Sequence, residues 1–118
     1  MPSAINRDDA TRLADDLAVL AEPHRLQVLC ELRGGPQSAG ALARATGMAP
    51  SLASHHLAVL LKAGLVSRWR DGSFVYYKLD QSRAGEIQQW LARVLRPLPG
   101  GRTGRNSSHA QAVPSRGP

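Results

Sequence analysis

Apolar residues recur at helical spacing over the first third of the chain. Between residues 8 and 21, leucines and alanines return every three or four positions, which predicts a first amphipathic helix. Glu22 and Pro23 break this pattern, and Pro23 suits the first turn of a second helix over residues 23–33. A Gly-Gly-Pro sequence follows directly and ends that second helix.

Two shorter helical patterns come next, separated by a glycine. Ser38 is a suitable N-cap for a short helix over residues 39–46, which Gly47 closes. The second pattern starts at Ala49-Pro50-Ser51 and ends at Ala63, before another glycine. Two short helices joined by a few residues with a glycine in the turn predict a helix-turn-helix. The apolar positions expected to pack these two helices together are Leu42, Ala45, Met48, Leu52, Leu57 and Leu60.

The pattern then changes from helical to strand-like. Residues 65–70 and 73–79 flank Asp71-Gly72, which predicts a β-hairpin whose loop holds either two or four residues. A last helix is predicted over residues 81–96, where apolar side chains recur on one face. The members of that face are Ile87, Trp90, Leu91, Val94 and Leu95.

The order of these elements predicts the fold class. It is a mainly α domain with a small β-hairpin, a winged helix-turn-helix in the order α-α-α-α-β-β-α. With 118 residues the chain has room for one domain. We divide it into a flexible N-terminus at residues 1–7, the domain at residues 8–96 and a disordered basic tail at residues 97–118. The tail is rich in proline, glycine and serine and has no periodicity, which is typical of disorder.

The net charge of +6 permits a nucleic-acid partner without indicating one by itself. Three arginines of the tail, Arg102, Arg105 and Arg116, supply half of that excess. Residues 1–100 hold twelve basic and nine acidic side chains, a net charge of +3. The positions of the basic residues are therefore more informative than their number.

Other features of the sequence limit the class of protein. The single cysteine, Cys30, excludes an internal disulfide and fits a reducing cytoplasm. The polar N-terminus does not resemble a signal peptide, and no apolar run is long enough for a membrane span. Phosphate-binding loops, nucleophile elbows and paired acid/base spacings are missing. We expect a cytoplasmic protein that is not an enzyme and needs no cofactor.

The second helix of the helix-turn-helix fits the major groove of double-stranded DNA, where base pairs present distinguishable donors and acceptors. Side chains on the exposed N-terminal half of such a helix face the bases, and basic residues nearby reach phosphates or the minor groove. The residues that we predict to bind DNA are Ser51, Ser54, His55, Lys62, Arg68 and Arg70. The alternative interpretation is an ordinary solvated surface.

Three segments resemble the ArsR (ArsR/SmtB) family of transcriptional repressors. They read LAEPHRLQVL, then ASHHLAVL with Ser54 and His56 in the family's recognition helix, then AGLVSRWRDGSFVYY. The resemblance covers about residues 10–96. It implies a repressor that binds an inverted-repeat operator as a homodimer. The alternative from a different class is a winged-helix protein-interaction module that does not bind DNA.

The same resemblance implies a dimer interface made by the first and last helices. The apolar faces predicted for those helices are wide for so small a domain, which agrees with such an interface. The residues that we expect there are Leu13, Leu17, Leu20, Ile87, Trp90, Leu91 and Val94. Each of them could instead belong to the core of a single chain.

Members of this family typically release DNA when they bind a metal or when thiols react. One metal site of the family needs a Cys-x-Cys before the recognition helix, where this chain has Gln37 to Ala41. Another needs histidine on the last helix, which carries only Asp80 and Glu86. The histidines are at positions 24, 55, 56 and 109, and the adjacent pair His55-His56 is poorly arranged for chelating one ion, because neighbouring side chains on a helix point about 100° apart. We therefore expect no metal site, with His56 half-buried beneath the motif.

Cys30 is the remaining candidate for sensing. Its surroundings are nearest to the BigR/YgaV-like branch, which pairs this cysteine with another near the end of the last helix. The matching position here, near residues 96–97, has no thiol, so a switch between two cysteines of one subunit is excluded. Cys30 could still be persulfidated or alkylated, or could bond to another subunit, in a thiol-responsive repressor. We expect instead a small buried apolar residue, the usual role of a free cysteine.

Overall fold

The computed structural model describes residues 5–98 of the chain. Five helices and three strands follow one another in the order helix, helix, strand, helix, helix, strand, strand, helix. They are α1 (Arg7–Leu20), α2 (Pro23–Leu32), β1 (Gln37–Ser38), α3 (Ala39–Thr46), α4 (Pro50–Lys62), β2 (Val66–Asp71), β3 (Phe74–Leu79) and α5 (Gln81–Val94). The winged helix-turn-helix predicted from the sequence is confirmed. The tail from residue 99 onward lies outside the described residues, so its disorder stays a prediction.

Local hydrogen bonds explain where the helices begin. The Oγ of Ser38 accepts a hydrogen bond of 3.1 Å from the backbone N–H of Ala41, which confirms the predicted N-cap of α3. Asn6 and Asp80 cap α1 and α5 in the same way. Gly47 ends α3 with a φ of 71°, a left-handed conformation that glycine adopts without steric cost. The short turn of the helix-turn-helix is therefore fixed by local sequence.

The hairpin turn lies one residue later than the sequence suggested. Asp71 is still in β2 and pairs with Phe74, so the loop has two residues, Gly72 and Ser73. Gly72 has a φ of 65°, and within residues 5–98 only glycines have a positive φ, which together match a type II′ turn. The two-residue alternative is confirmed, but the placement of the loop at Asp71-Gly72 is wrong.

The sheet contains a third strand that the sequence pattern did not reveal. Its order is β1-β3-β2, with antiparallel pairing throughout. The two residues of β1 pair with Tyr76 and Tyr77 of β3. This strand joins the hairpin to the start of α3, so the wing is held directly against the helix-turn-helix.

The core is centred on the helix-turn-helix. Its largest completely buried side chains come from α2, α3, α4 and the residue just before β2: Val28, Leu42, Leu57, Leu60 and Leu65. Two of the predicted packing positions are wrong, because Ala45 and Leu52 are exposed. Ala43 and Ala53 are buried in their place, and their small side chains let the helices approach closely.

The α1–α5 pair lies on one side of this core and is less completely buried. Leu13 and Ile87 are buried, whereas the other apolar residues of the two helices are partly or largely exposed. Arg83 of α5 joins the helices through both oxygens of Asp16 on α1, at 2.6 and 3.2 Å. That hydrogen-bonded pair raises the pKa of Arg83. None of the helices within residues 5–98 has the length and hydropathy needed to cross a membrane.

Candidate nucleic-acid interface

Helix α4 has one buried and one exposed face. Its buried side chains are Ala53, His56, Leu57 and Leu60. The exposed face, which we call the α4 stripe, consists of Ser51, Ser54, His55, Ala58 and Lys62. These positions are three or four residues apart, so the side chains lie on one side of the helix. The predicted DNA-contacting residues of α4 are all solvent-accessible and share one surface.

The hairpin places the two arginines of β2 on one face and a cluster of three aromatic side chains on the other. Arg68 and Arg70 alternate along β2 and are both exposed. The intervening Trp69 lies on the other face, where its ring stacks on Tyr76 with 5.8 Å between centroids. Phe74 extends this aromatic face, 6.3 Å from Tyr76. The two predicted wing arginines are therefore on one surface, free of the aromatic cluster.

Charge is unevenly distributed over the domain. From the start of α4 to the end of β3 the sequence has four basic side chains and a single acidic one, Asp71. Helix α1 has four acidic side chains against two arginines. The positive charge of residues 5–98 is thus concentrated in the segment from α4 to β3, which includes the α4 stripe. A surface of this kind attracts a polyanion such as the DNA backbone.

His56 lies beneath α4 and anchors it to the α1–α2 junction. Its Nδ1 accepts a hydrogen bond from Nη1 of Arg25 at 3.1 Å, because a guanidinium can only donate. The Nε of Arg25 donates to the backbone carbonyl of Val19 at 2.6 Å. This chain of contacts connects α4 to the end of α1. His56 therefore positions α4 and does not belong to its exposed surface.

Glu22 completes this arrangement from the start of α2. Its carboxylate accepts the backbone N–H groups of His24 and Arg25 at 2.7 and 3.1 Å. Burial by itself would raise the pKa of Glu22, but those hydrogen bonds outweigh this effect and hold the pKa below its ordinary value. Burial lowers the pKa of His56, and the charge of Arg25 adds to this effect, whereas Glu22 opposes it. His56 is more deeply buried than the half-buried position predicted for it, with 5 % of its surface exposed.

Cys30 is exposed, so the expectation of a buried apolar role is wrong. Val28 and Leu32 form the buried side of α2, and Cys30 is two residues from each of them. Two residues correspond to about 200° around a helix, which turns the thiol away from the core. The side chain lines a shallow hollow between α2 and α3, together with Leu26, Gln27, Glu31, Ala45 and Thr46.

Comparison with known proteins places this geometry in a family. Residues 22–68 match the family model of the bacterial regulatory proteins of the arsR family. The chain is 39% identical over 87 residues to the HTH-type transcriptional regulator NmtR of Mycobacterium tuberculosis, covering 73% of this chain and 72% of that protein. It is 36% identical over 89 residues to the HTH-type transcriptional regulator YgaV of Escherichia coli, covering 75% and 90%. The chain belongs to the arsR family.

A solved structure supports the same assignment at the level of the fold. The solution structure of a homodimeric winged helix-turn-helix DNA-binding domain from Mycobacterium bovis, described as a possible ArsR-family regulator, superposes with a TM-score of 0.62. The sequence identity is 32%, over 78% of this chain and 88% of that one. The predictions of an ArsR-type fold and of a DNA-binding transcriptional regulator are confirmed. The family consists of regulators and not of enzymes.

The family resemblance suggests two places for a metal site, one at the start of α3 and one on α5. The residues present fit neither of them. The start of α3 has Ser38 and Ala39 where one site needs thiolates. On α5 no histidine is present, Asp80 is used as the N-cap, and Glu86 lies 3.5 Å from Arg83. Neither place offers the donor atoms that such a site requires.

The structure brings some of the predicted site residues together and separates others. Those on α4 share one exposed face of that helix, and the two wing arginines share one face of β2, while those of the expected dimer interface lie on α1 and α5. Sequence reasoning missed Glu22 and Arg25, which fix the position of α4 through His56. The signal that could have revealed Glu22 is its place directly before Pro23, since a carboxylate at that point can cap the helix. Arg25 gave no signal, because its partners are distant in sequence.

Proposed function

We propose that this protein is a cytoplasmic repressor that binds an inverted-repeat operator as a homodimer. The α4 stripe reads base edges in the major groove, and the wing arginines contact flanking phosphates or the minor groove. The observation that carries this proposal is the division of α4 into a buried face, fixed by Leu57 and His56, and a polar exposed one. A recognition helix needs both: a fixed position and free polar side chains.

The chemistry of the α4 stripe suits base recognition. Hydroxyls of Ser51 and Ser54 can donate to or accept from base edges, and the imidazole of His55 can do either through its two nitrogens. All three lie in the N-terminal half of α4, the part of a recognition helix that approaches the bases. Lys62 lies at the other end, where a cation suits both the helix dipole and a phosphate.

The exposed apolar surface of α5 supports the homodimer. Val94 and the C-cap residue Leu95 are 49% and 71% exposed and continue the face that begins with Trp90 and Leu91, and Leu98, beyond the helix, is 80% exposed. A contiguous apolar surface of this kind is typical of a protein interface. The relative from Mycobacterium bovis is itself homodimeric. We therefore place the two-fold contact on α1 and α5, which leaves both copies of α4 available to DNA.

Selection of binding sites from a random double-stranded DNA pool tests the function directly. We expect the full chain to enrich an inverted repeat. Ser54→Ala or His55→Ala should weaken binding to it by about 1–3 kcal/mol for each base that the variant no longer contacts. Ser82→Ala, an exposed serine at the start of α5, is the matched control and should bind normally. An unchanged affinity and sequence preference in both α4 variants would contradict the assignment of the recognition surface.

The same experiment separates this function from a winged-helix module that serves only protein contacts. Such a module would enrich no sequence, and any retention of DNA would disappear as salt is raised, because it would depend only on counterion release. A repressor retains preference for its operator over competing DNA at physiological salt.

A second candidate function, thiol-responsive repression through Cys30, is favoured by the exposure of that side chain. An accessible thiol can be persulfidated or can bond to a second chain, whereas a buried one cannot. Treatment of the DNA complex with polysulfide tests this candidate. Release from the operator that is lost in Cys30→Ser supports it, and equal release curves for the parent protein and the variant exclude it.

A further inference from the structure

Three potential metal ligands converge behind the recognition helix, in a part of the fold that the proposed DNA surface does not use. Glu22 and His24 come from the start of α2, and His56 comes from the buried face of α4. Each of them offers one ligand atom within 4.8 Å of the other two. The rings of His24 and His56 are stacked at 5.3 Å between centroids, so both imidazoles lie beside the same carboxylate.

The free nitrogen of His56 is the feature that points to a ligand. The side chain is more than nine-tenths buried, and its Nδ1 is occupied by Arg25. Its Nε2 is directed at Oε1 of Glu22 but is 3.8 Å away, too far for a hydrogen bond. Within residues 5–98, no other group forms a hydrogen bond to this nitrogen. An imidazole nitrogen on a buried side chain and a carboxylate oxygen therefore lie close together without a hydrogen bond between them.

We propose that Glu22, His24 and His56 bind a divalent cation of borderline softness, of which Zn²⁺ is the best match. Two imidazoles and one carboxylate form a donor set that zinc accepts, with a water molecule as the fourth ligand. Calcium and magnesium prefer sites made of oxygen ligands alone, and Cu⁺ prefers sulfur. The side chain of His24 is 41% exposed, which gives an ion access from solvent.

Small movements bring the three donors into range. Zinc–ligand distances of about 2.0–2.2 Å place neighbouring donors of a tetrahedral site roughly 3.4 Å apart. The present distances are 3.3 Å from Nδ1 of His24 to Oε2 of Glu22 and 3.8 Å from Nε2 of His56 to Oε1. His24 is only partly buried and can adjust by rotation of its side chain.

Binding of the ion would change how α4 is held. In the metal-free protein Nδ1 of His56 accepts from Arg25, so the proton of the neutral ring is on Nε2. A metal at Nε2 requires the other tautomer, with a proton on Nδ1 that faces the guanidinium. The hydrogen bond between Arg25 and His56 must then break, while the bond from Arg25 to Val19 can stay. Occupancy of the site is thereby coupled to the helix that carries the α4 stripe.

Titration of the purified full chain with Zn²⁺, in competition with a chromophoric chelator and without DNA, tests the site separately from the proposed function. We expect one ion per chain, and a loss of affinity on the order of 10–100-fold or more in His24→Ala and in Glu22→Gln. His55→Ala is the matched control, because it removes the adjacent histidine on the exposed side of α4. Cys30→Ser and His109→Ala test the other available ligands, and all three controls should bind as the parent does.

The histidine tautomer gives a second measurement that a merely structural role of His56 would not affect. Long-range ¹H–¹⁵N spectra report which ring nitrogen carries the proton. We expect the proton of His56 on Nε2 without metal and on Nδ1 at saturating Zn²⁺. Parent-like zinc affinity in His24→Ala, loss of binding in any of the three controls, or an unchanged His56 tautomer at saturation would each overturn the proposal. Thermal unfolding of His24→Ala confirms that the variant is folded.

Discussion

The helix-turn-helix and the α1–α5 pair complete their apolar packing to very different extents. In α3 and α4, buried and exposed positions follow helix periodicity closely, and leucines such as Leu57 are fully enclosed by the same chain. In α1 and α5 only Leu13 and Ile87 are buried, and the apolar face continues into solvent at Val94 and Leu95. The helix-turn-helix buries its apolar side chains within a single chain, whereas the α1–α5 pair leaves apolar surface available for a second copy.

This difference indicates that the two regions of the domain have different roles. The enclosed region holds the α4 stripe in a fixed position, which a reader of DNA sequence requires. The open region offers a surface that two copies can share, and in the proposed dimer this surface would set the distance between the two copies of α4. Substitutions in the first region should therefore lower the stability of each chain, and those in the second should lower its association.

The largest effect is expected from Leu57→Ala in the enclosed region. Removal of a fully buried leucine side chain leaves a cavity and lowers the free energy of unfolding by about 2–5 kcal/mol. Leu95→Ala is the matched control, because this leucine is 71% exposed and little of its surface leaves water when the chain folds. Urea denaturation measures the free energy of unfolding of both variants. It is done at several protein concentrations, because association of two chains also adds to the apparent stability. Equal losses in the two variants would contradict the comparison.

The next effect concerns association and is expected from Val94→Glu. A carboxylate introduced into a desolvated dimer interface has no partner there, and we expect dimerisation to weaken by about 2 kcal/mol or more, roughly thirty-fold. The exposure of Val94 in the single chain predicts normal folding. Gln89→Glu makes the same change of charge on the opposite, exposed side of α5 and should dimerise normally. Sedimentation velocity measures the association, and a fully dimeric Val94→Glu would exclude α5 from the interface.

A smaller effect is expected at the wing. Arg70→Ala removes one exposed cation from β2, so binding should weaken about equally for all DNA sequences. The slope of log affinity against log salt should fall by about 0.9 for each phosphate that a chain no longer neutralises. Fluorescence anisotropy over a range of salt concentrations measures this slope. A change of sequence preference with an unchanged slope would mean that Arg70 reads bases instead.

The smallest effects are expected at two glycines, one in the hairpin loop and one in α5, and they have opposite signs. Gly72→Ala forces alanine into the left-handed conformation of the hairpin loop, at a cost of about 1 kcal/mol. Gly85→Ala places a better helix former within α5, where a Cβ atom meets no neighbour, and should stabilise the chain by about 0.5–1 kcal/mol. Thermal unfolding of both variants, monitored by circular dichroism, gives the signs. Destabilisation by Gly85→Ala would show that α5 is more closely packed than its exposure suggests.

The sequence was most informative where local interactions decide the structure. Ser38, Gly47 and Pro50 mark the ends of α3 and α4 through caps and backbone geometry, and these helix limits agree with the structure within a residue. Apolar spacing alone placed the buried and exposed sides of α4 well enough to select Ser54 and His55 as exposed. Such features depend on neighbours three or four residues away, which a sequence displays directly.

Features that depend on distant contacts could not be predicted in this way. The pairing of β1 with β3 involves two residues that have no strand pattern of their own, and the hairpin register depends on which residues face each other across the loop. The exposure of Cys30 follows from how α2 is rotated against its neighbours. The contact between Arg25 and His56 joins residues 31 positions apart, so neither residue can be identified from the sequence around the other.

Hydroxyl-radical footprinting on the selected operator tests the central claim most directly. If two copies pair through α1 and α5 and each α4 enters a major groove, two protected half-sites should appear. They should be related by two-fold symmetry and separated by about 10–10.5 base pairs or a multiple of this spacing. Val94→Glu should lose the paired pattern, and Gln89→Glu should keep it. A single protected half-site with the parent protein, or an unchanged paired pattern with Val94→Glu, would contradict the account.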